Sequence, residues 1–139
     1  MSIKIQKTVG IAISQTSNLL NSSINKKIKD FGIAIEQRMI LELIQKEKQI
    51  KQSDLTKALE KDKTTISRTL STLEKKQYII KEKIDNKNHL IKLSDLGEKV
   101  MKRSQKEVSL FREKIVSEFT KEELDNLYCY LERINKIVK

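Results

Sequence analysis

Residues 62–79, DKTTISRTLSTLEKKQYI, decide how the rest of the chain is read. Asp62 suits a helix N-cap, its carboxylate accepting from the amide of Thr64 or Thr65. Ile66, Leu70 and Leu73 follow at the three- and four-residue spacing that gathers apolar side chains on one face. The helical step then turns Thr64, Thr65, Arg68, Ser71 or Thr72, and Lys75 outward. The helix is oily inside and carries hydroxyls around one guanidinium outside.

Immediately after it the period shortens to two. YIIKEKI (78–84) and HLIKL (89–93) alternate as half-buried strands, and DNKN (85–88) is a turn tetrapeptide, so the spacing predicts a β-hairpin. Upstream, SDLTKALEK (53–61) reads as a short helix with Leu55, Ala58 and Leu59 inward. A longer helix from about Glu36 to Lys46 turns Met39, Ile40, Leu43 and Ile44 inward. At the start, Ile5, Val9, Ile13, Thr16, Leu20 and Ile24 predict one helix over 3–29, stopped by DFG (30–32) with Gly32 near its C-terminus. Ser94 caps a long helix to about Phe119, and Thr120 with Glu123 has the capping-box spacing that opens a last one. The expected fold is mainly α with a small β-hairpin, a winged helix-turn-helix flanked by long terminal helices. It occupies residues 1–139 as one domain, with terminal helices in 1–30 and 94–139. The winged part spans 33–93, with the helix-turn-helix at about 51–76 and the wing at 78–93.

Composition agrees. The 139 residues contain no proline and three glycines, which favours long uninterrupted helices. The net charge of +10 is uneven. Residues 46–92 hold thirteen Lys/Arg against seven Asp/Glu, whereas residues 93–139 hold ten against nine. A basic middle segment points to an anionic partner, with nucleic acid first. No apolar stretch is long enough to span a membrane and the start is not a signal peptide, so the expected address is the cytoplasm. One cysteine, Cys129, and one histidine, His89, leave no disulfide, no cysteine-clustered metal site and no Ser/His/Asp set away from His89. With no Gly-rich phosphate loop either, neither an enzyme nor a cofactor is expected.

In a helix-turn-helix the second helix lies in the major groove of duplex DNA and its N-terminal residues meet base edges. Arg68 can then donate two bonds to a guanine edge, and the neighbouring hydroxyls can bond bases or phosphates. Lys63, Lys75 and Lys76 can meet flanking phosphates without reading sequence. At the hairpin tip, Asn86 and Lys87 are candidates for the minor groove or its phosphates. The competing class is a winged helix that binds protein, or duplex DNA without sequence preference.

The sequence resembles the MarR-type (multiple-antibiotic-resistance regulator) family of bacterial winged-helix repressors along nearly its whole length. The matching stretches are GIAIEQRMILELI, QSDLTKALEKDKTTISRTLSTLEKKQYI and IDNKNHLIKLSDLGEKV. The resemblance implies a homodimer built from the first, fifth and sixth helices, repressing transcription from a pseudo-palindromic operator and in some cases answering a small-molecule effector. It also implies recognition-helix contacts at Thr64, Thr65, Ser67 and Arg68, backbone contacts near Gln52 and Ser53, and Lys87 in place of the wing arginine. Gln77 stands where the family often has glycine. A seam of Leu124, Leu127, Leu131, Ile134 and Val138 in the last helix, with Ile5 and Val9 in the first, is the expected subunit interface.

Overall fold

The computed structural model describes residues 3–139. Packing divides the chain into two compact units, residues 1–105 and 106–139, with the boundary inside a long helix. In the first unit, helix α1 runs Val9–Ile28, a 3₁₀ turn Lys29–Phe31, α2 Ile35–Glu47, strand β1 Gln49–Lys51, α3 Gln52–Leu59 and α4 Lys63–Lys75. Strands β2, Ile79–Lys83, and β3, His89–Leu93, follow, and then α5, Asp95–Val116, which crosses the boundary. The second unit ends in α6, Lys121–Val138.

The first helix starts six residues later than its apolar period predicts. Thr8 is extended and its hydroxyl accepts from the Ile11 amide, so the side chain that could have continued a helix caps one instead. Ile5, expected on the first turn, lies ahead of the helix. Gly32, at φ 84, closes the 3₁₀ turn as a left-handed cap.

In α2 the inward stripe is rotated from the expected one. Ile35, Ile40, Leu41 and Ile44 are buried, Leu43 is half-buried, and Met39 is 46% exposed. Arg38 takes a core position, with no accessible surface. Its Nε donates to Ser104 Oγ at 2.9 Å, its Nη2 to the Met101 carbonyl at 3.1 Å and to Gln105 Oε1 at 2.8 Å, and its Nη1 pairs with Glu42 at 3.2 Å. A buried cation needs such partners, and meeting them pins α2 to the first part of α5. Ala58, expected inward, is exposed; Glu60 at φ 51 ends α3 early, leaving Leu55 as its one fully buried residue.

Ile66, Leu70 and Leu73 have no accessible surface, as their spacing predicts. The sheet differs from a plain hairpin. β3 pairs antiparallel with β2, Ile79 opposite Leu93 and Lys83 opposite His89, and also with β1, Gln49 opposite Lys92. β1 is only three residues long, too short to show a period in sequence. It joins because β3 has a second edge whose backbone groups need partners. Gln77 adopts φ 65, the left-handed conformation that glycine takes without strain.

Ser94 Oγ accepts from Gly97 N at 3.0 Å, opening α5, and Thr120 and Glu123 form the reciprocal capping box of α6. No residue of α6 is buried. Leu127, Leu131 and Val138 are exposed, Leu124 and Ile134 half-buried. Ile5 and Val9 are exposed as well.

Candidate nucleic-acid interface

The outer side of α4 is built from its cap upward. Asp62 is extended, and its carboxylate accepts from Thr65 N at 2.7 Å and from Thr65 Oγ1 at 2.8 Å. The Thr65 amide, then its hydroxyl, holds the Asp62 carboxyl below the usual carboxylate range. The one acid at this helix end is thus turned into its own backbone. Thr65 spends its hydroxyl proton on the cap.

Lys63, Thr64, Ser67, Arg68, Ser71, Thr72 and Lys75 line one open depression of about 630 Å³. All the outward residues the sequence predicts are therefore brought together there except Thr65. Arg68, Thr64 and Ser71 are exposed, and their side chains have no internal hydrogen-bond partner among the described residues. Thr72 Oγ1 donates to the Arg68 carbonyl, which leaves its lone pairs outward. Ser67 is half-buried and accepts from Gln52 Nε2 at 3.2 Å, so two residues expected to meet DNA also fix α3 against α4.

A second cleft, about 460 Å³, lies between α3 and the wing and is lined by Gln52, Ser53, Thr56, Lys57, Lys63, Lys87, Asn88 and His89. It gathers Gln52, Ser53 and Lys87, predicted separately, beside Lys63, which also belongs to the first depression. Asn86 is exposed at the tip but does not line it. Thr56, Lys57, Asn88 and His89 are the lining residues sequence reading missed. Lys57 lies one turn beyond Ser53, a signal visible once α3 is placed. His89 is directed there by its register in β3. At the tip, Asp85 Oδ1 accepts from Lys87 N at 2.8 Å and Asn88 N at 2.9 Å. The Lys87 amide, then the Asn88 side chain, lowers the Asp85 carboxyl, and the turn carrying Lys87 is held by it.

Chemically, both surfaces offer donors and positive charge. Among the described residues no group of His, Cys, Asp and Glu could hold a metal, and no helix is long and apolar enough to cross a membrane. A buried sheet-and-helix scaffold presenting one guanidinium between hydroxyls, with lysines at both ends, defines a winged helix-turn-helix protein.

The MarR family model matches residues 33–89. The chain is similar to MepR of S. aureus in its DNA complex, with a TM-score of 0.86 and 22% identity, over 96% of this chain and 100% of MepR. It is similar to a point mutant of E. coli MarR complexed with operator DNA at a TM-score of 0.80 and 20% identity, over 91% and 92% of the two chains. NadR in complex with 4-hydroxyphenylacetate matches at 0.75 and 20%, over 99% of each. No curated protein sequence matches. The family match thus covers the winged segment of this chain, and the likeness in fold extends over nearly its whole length.

Proposed function

We propose that the protein is a sequence-specific double-stranded DNA-binding transcriptional regulator, a cytoplasmic homodimer that represses from a pseudo-palindromic operator. It is a binding protein, with no catalytic role. The observation that carries this reading is the outer face of α4: Arg68, Thr64 and Ser71 are exposed and internally unpartnered, while the opposite face is fully buried. Donors left unsatisfied on a rigid helix suit base edges, and Lys63 and Lys75 at its ends suit phosphates. In this reading Lys57, Lys87 and His89 receive the backbone beside the wing, with Gln52, Ser53 and Asn86 close to it.

The subunit interface draws on apolar residues of each unit, Val9 of α1 with Ile5 ahead of it in the first, and Leu124, Leu127, Leu131, Ile134 and Val138 of α6 in the second. Apolar side chains this exposed are normally covered by a partner. The solved NadR complex adds support for a small-molecule effector.

Selection of duplexes from a random pool by the purified protein tests the proposal. The expected product is an inverted repeat with half-sites about one helical turn apart. Arg68→Ala should lose about 1–3 kcal/mol of discrimination at one base pair of each half-site. Equal binding of selected and random duplexes at physiological salt would refute sequence-specific regulation.

A further inference from the structure

The C-terminal end of the recognition helix is tied to the turn between α1 and α2 by directional bonds that its buried face does not supply. Ile66, Leu70 and Leu73 hold α4 by apolar contact, which resists removal but is indifferent to small tilts. Just beyond α4, Tyr78 Oη donates to the Gly32 carbonyl at 2.9 Å and Lys76 Nζ donates to the same carbonyl at 3.1 Å. Lys76 Nζ also reaches Gln37 Oε1 at 2.9 Å, and that oxygen accepts from Ala34 N, at the start of α2. The Lys76 ammonium lies 5.9 Å from the centre of the Tyr78 ring.

Tyr78 is fixed from its other sides too. Its amide donates to the Leu73 carbonyl at 3.0 Å, and its carbonyl accepts from Ser94 N at 3.0 Å. Gly97 packs against that carbonyl so tightly that an added Cβ would lie 2.1 Å from the oxygen. Tyr78 as a whole is 8% exposed. Gly32 itself is held at φ 84, and a Cβ there would meet Tyr78 Oη at 2.8 Å, so the acceptor carbonyl has a set direction.

We infer that the Gly32 carbonyl, gripped by Tyr78 and Lys76, is the joint through which α1 sets the tilt of the recognition helix and hence the half-site spacing the dimer accepts. Lys76, expected among the flanking phosphate contacts, has its ammonium turned to Gly32 and Gln37 instead and lines neither depression, so Tyr78 and Lys76 are positioning residues that touch no DNA. The lever is long enough to matter. The thirteen residues of α4 extend about 18–20 Å. A tilt of about 10° about the C-terminal anchor moves the far end by about 3 Å, close to one base-pair step.

The inference rests on the DNA-binding reading above, and its test separates the two. The full-length protein and its Tyr78→Phe, Lys76→Met and double variants are titrated with four duplexes. These are the inverted repeat selected by the unaltered protein, versions with its half-sites one base pair closer or farther apart, and a single half-site. Lys81→Met is the control, since Lys81, in β2, pairs with Glu74 of α4 at 3.9 Å and has no part in the joint. Tyr78→Phe, which removes one hydrogen bond, should narrow the preference for native spacing by about threefold to tenfold, and Lys76→Met, which removes two, by at least as much. The double variant should narrow it further, with half-site affinity changed by less than about twofold. Lys81→Met should leave the spacing preference intact. A spacing preference that survives the double variant overturns the inference. So does a loss shared equally by the half-site and all three spacings, which would make the joint a matter of stability alone. If the unaltered protein selects no inverted repeat, the DNA-binding reading falls and this inference with it.

Discussion

Lys63 lines both surfaces of the interface, so its replacement by glutamine probes them together. Four lysines line the two depressions, Lys57, Lys63, Lys75 and Lys87. If each meets one phosphate, a dimer neutralises about eight, and the logarithm of affinity falls against the logarithm of salt with a slope of about −7. Lys63→Gln removes two of those contacts per dimer and should flatten the slope by about 1.8. Contacts of this kind fade near 1 M salt, so at about 0.1 M the same change costs about 60-fold in affinity, or about 2.5 kcal/mol. Fluorescence anisotropy with a labelled selected duplex, titrated across a series of KCl concentrations, measures both quantities at once. Lys136→Gln in α6 is the control and should leave the slope alone, because Lys136 lines neither depression. Weaker binding at unchanged slope would mean that Lys63 meets no phosphate, and the reading of both surfaces as a backbone seat would be wrong.

Three further outcomes concern stability. Gln77→Gly should raise stability by about 1 kcal/mol in thermal denaturation, since Gln77 carries the strain of φ 65 and glycine does not; a fall would show that its side chain contributes more than the strain costs. Gly97→Ala should destabilise by at least about 2 kcal/mol because its Cβ would collide with the Tyr78 carbonyl, while Gly10→Ala, with nothing within 4 Å, should be neutral or slightly stabilising. Comparable denaturation midpoints for the two glycine variants would refute the packing of α5 on Tyr78. The Asp62 carboxyl is lowered from its ordinary value of 3.8, so its cap contributes fully above that value and is lost as pH falls through the lower, folded one. The gap in urea midpoint between the native protein and Asp62→Ala should therefore be present at neutral pH and close below about pH 4, and a gap independent of pH would contradict a charged cap.

Residues 62–93 could be read almost directly because their structure depends on near neighbours. A cap at Asp62, a buried triplet at Ile66, Leu70 and Leu73, and a change of period after Gln77 are local signals, and each appears in place. The outward set from Thr64 to Lys75 followed from the same helical step, so most of the candidate interface was legible before any tertiary contact was known. Thr65 left that set because an adjacent carboxylate took its hydroxyl, a competition that a face-by-face reading does not weigh.

By itself, then, the sequence determined where helices and hairpin lie and which side of α4 turns outward, since periodicity and capping act within a few residues. Tertiary structure alone decided the rest. It made Arg38 a core residue by supplying Ser104, Met101 and Gln105 from a helix more than sixty positions away. It recruited Gln49–Lys51 as a third strand because β3 had an unpaired edge, and it brought Lys57 and His89 to the same cleft as Lys87. Buried polar groups and open strand edges must find partners wherever the chain places them, and the distance along the sequence does not enter that requirement.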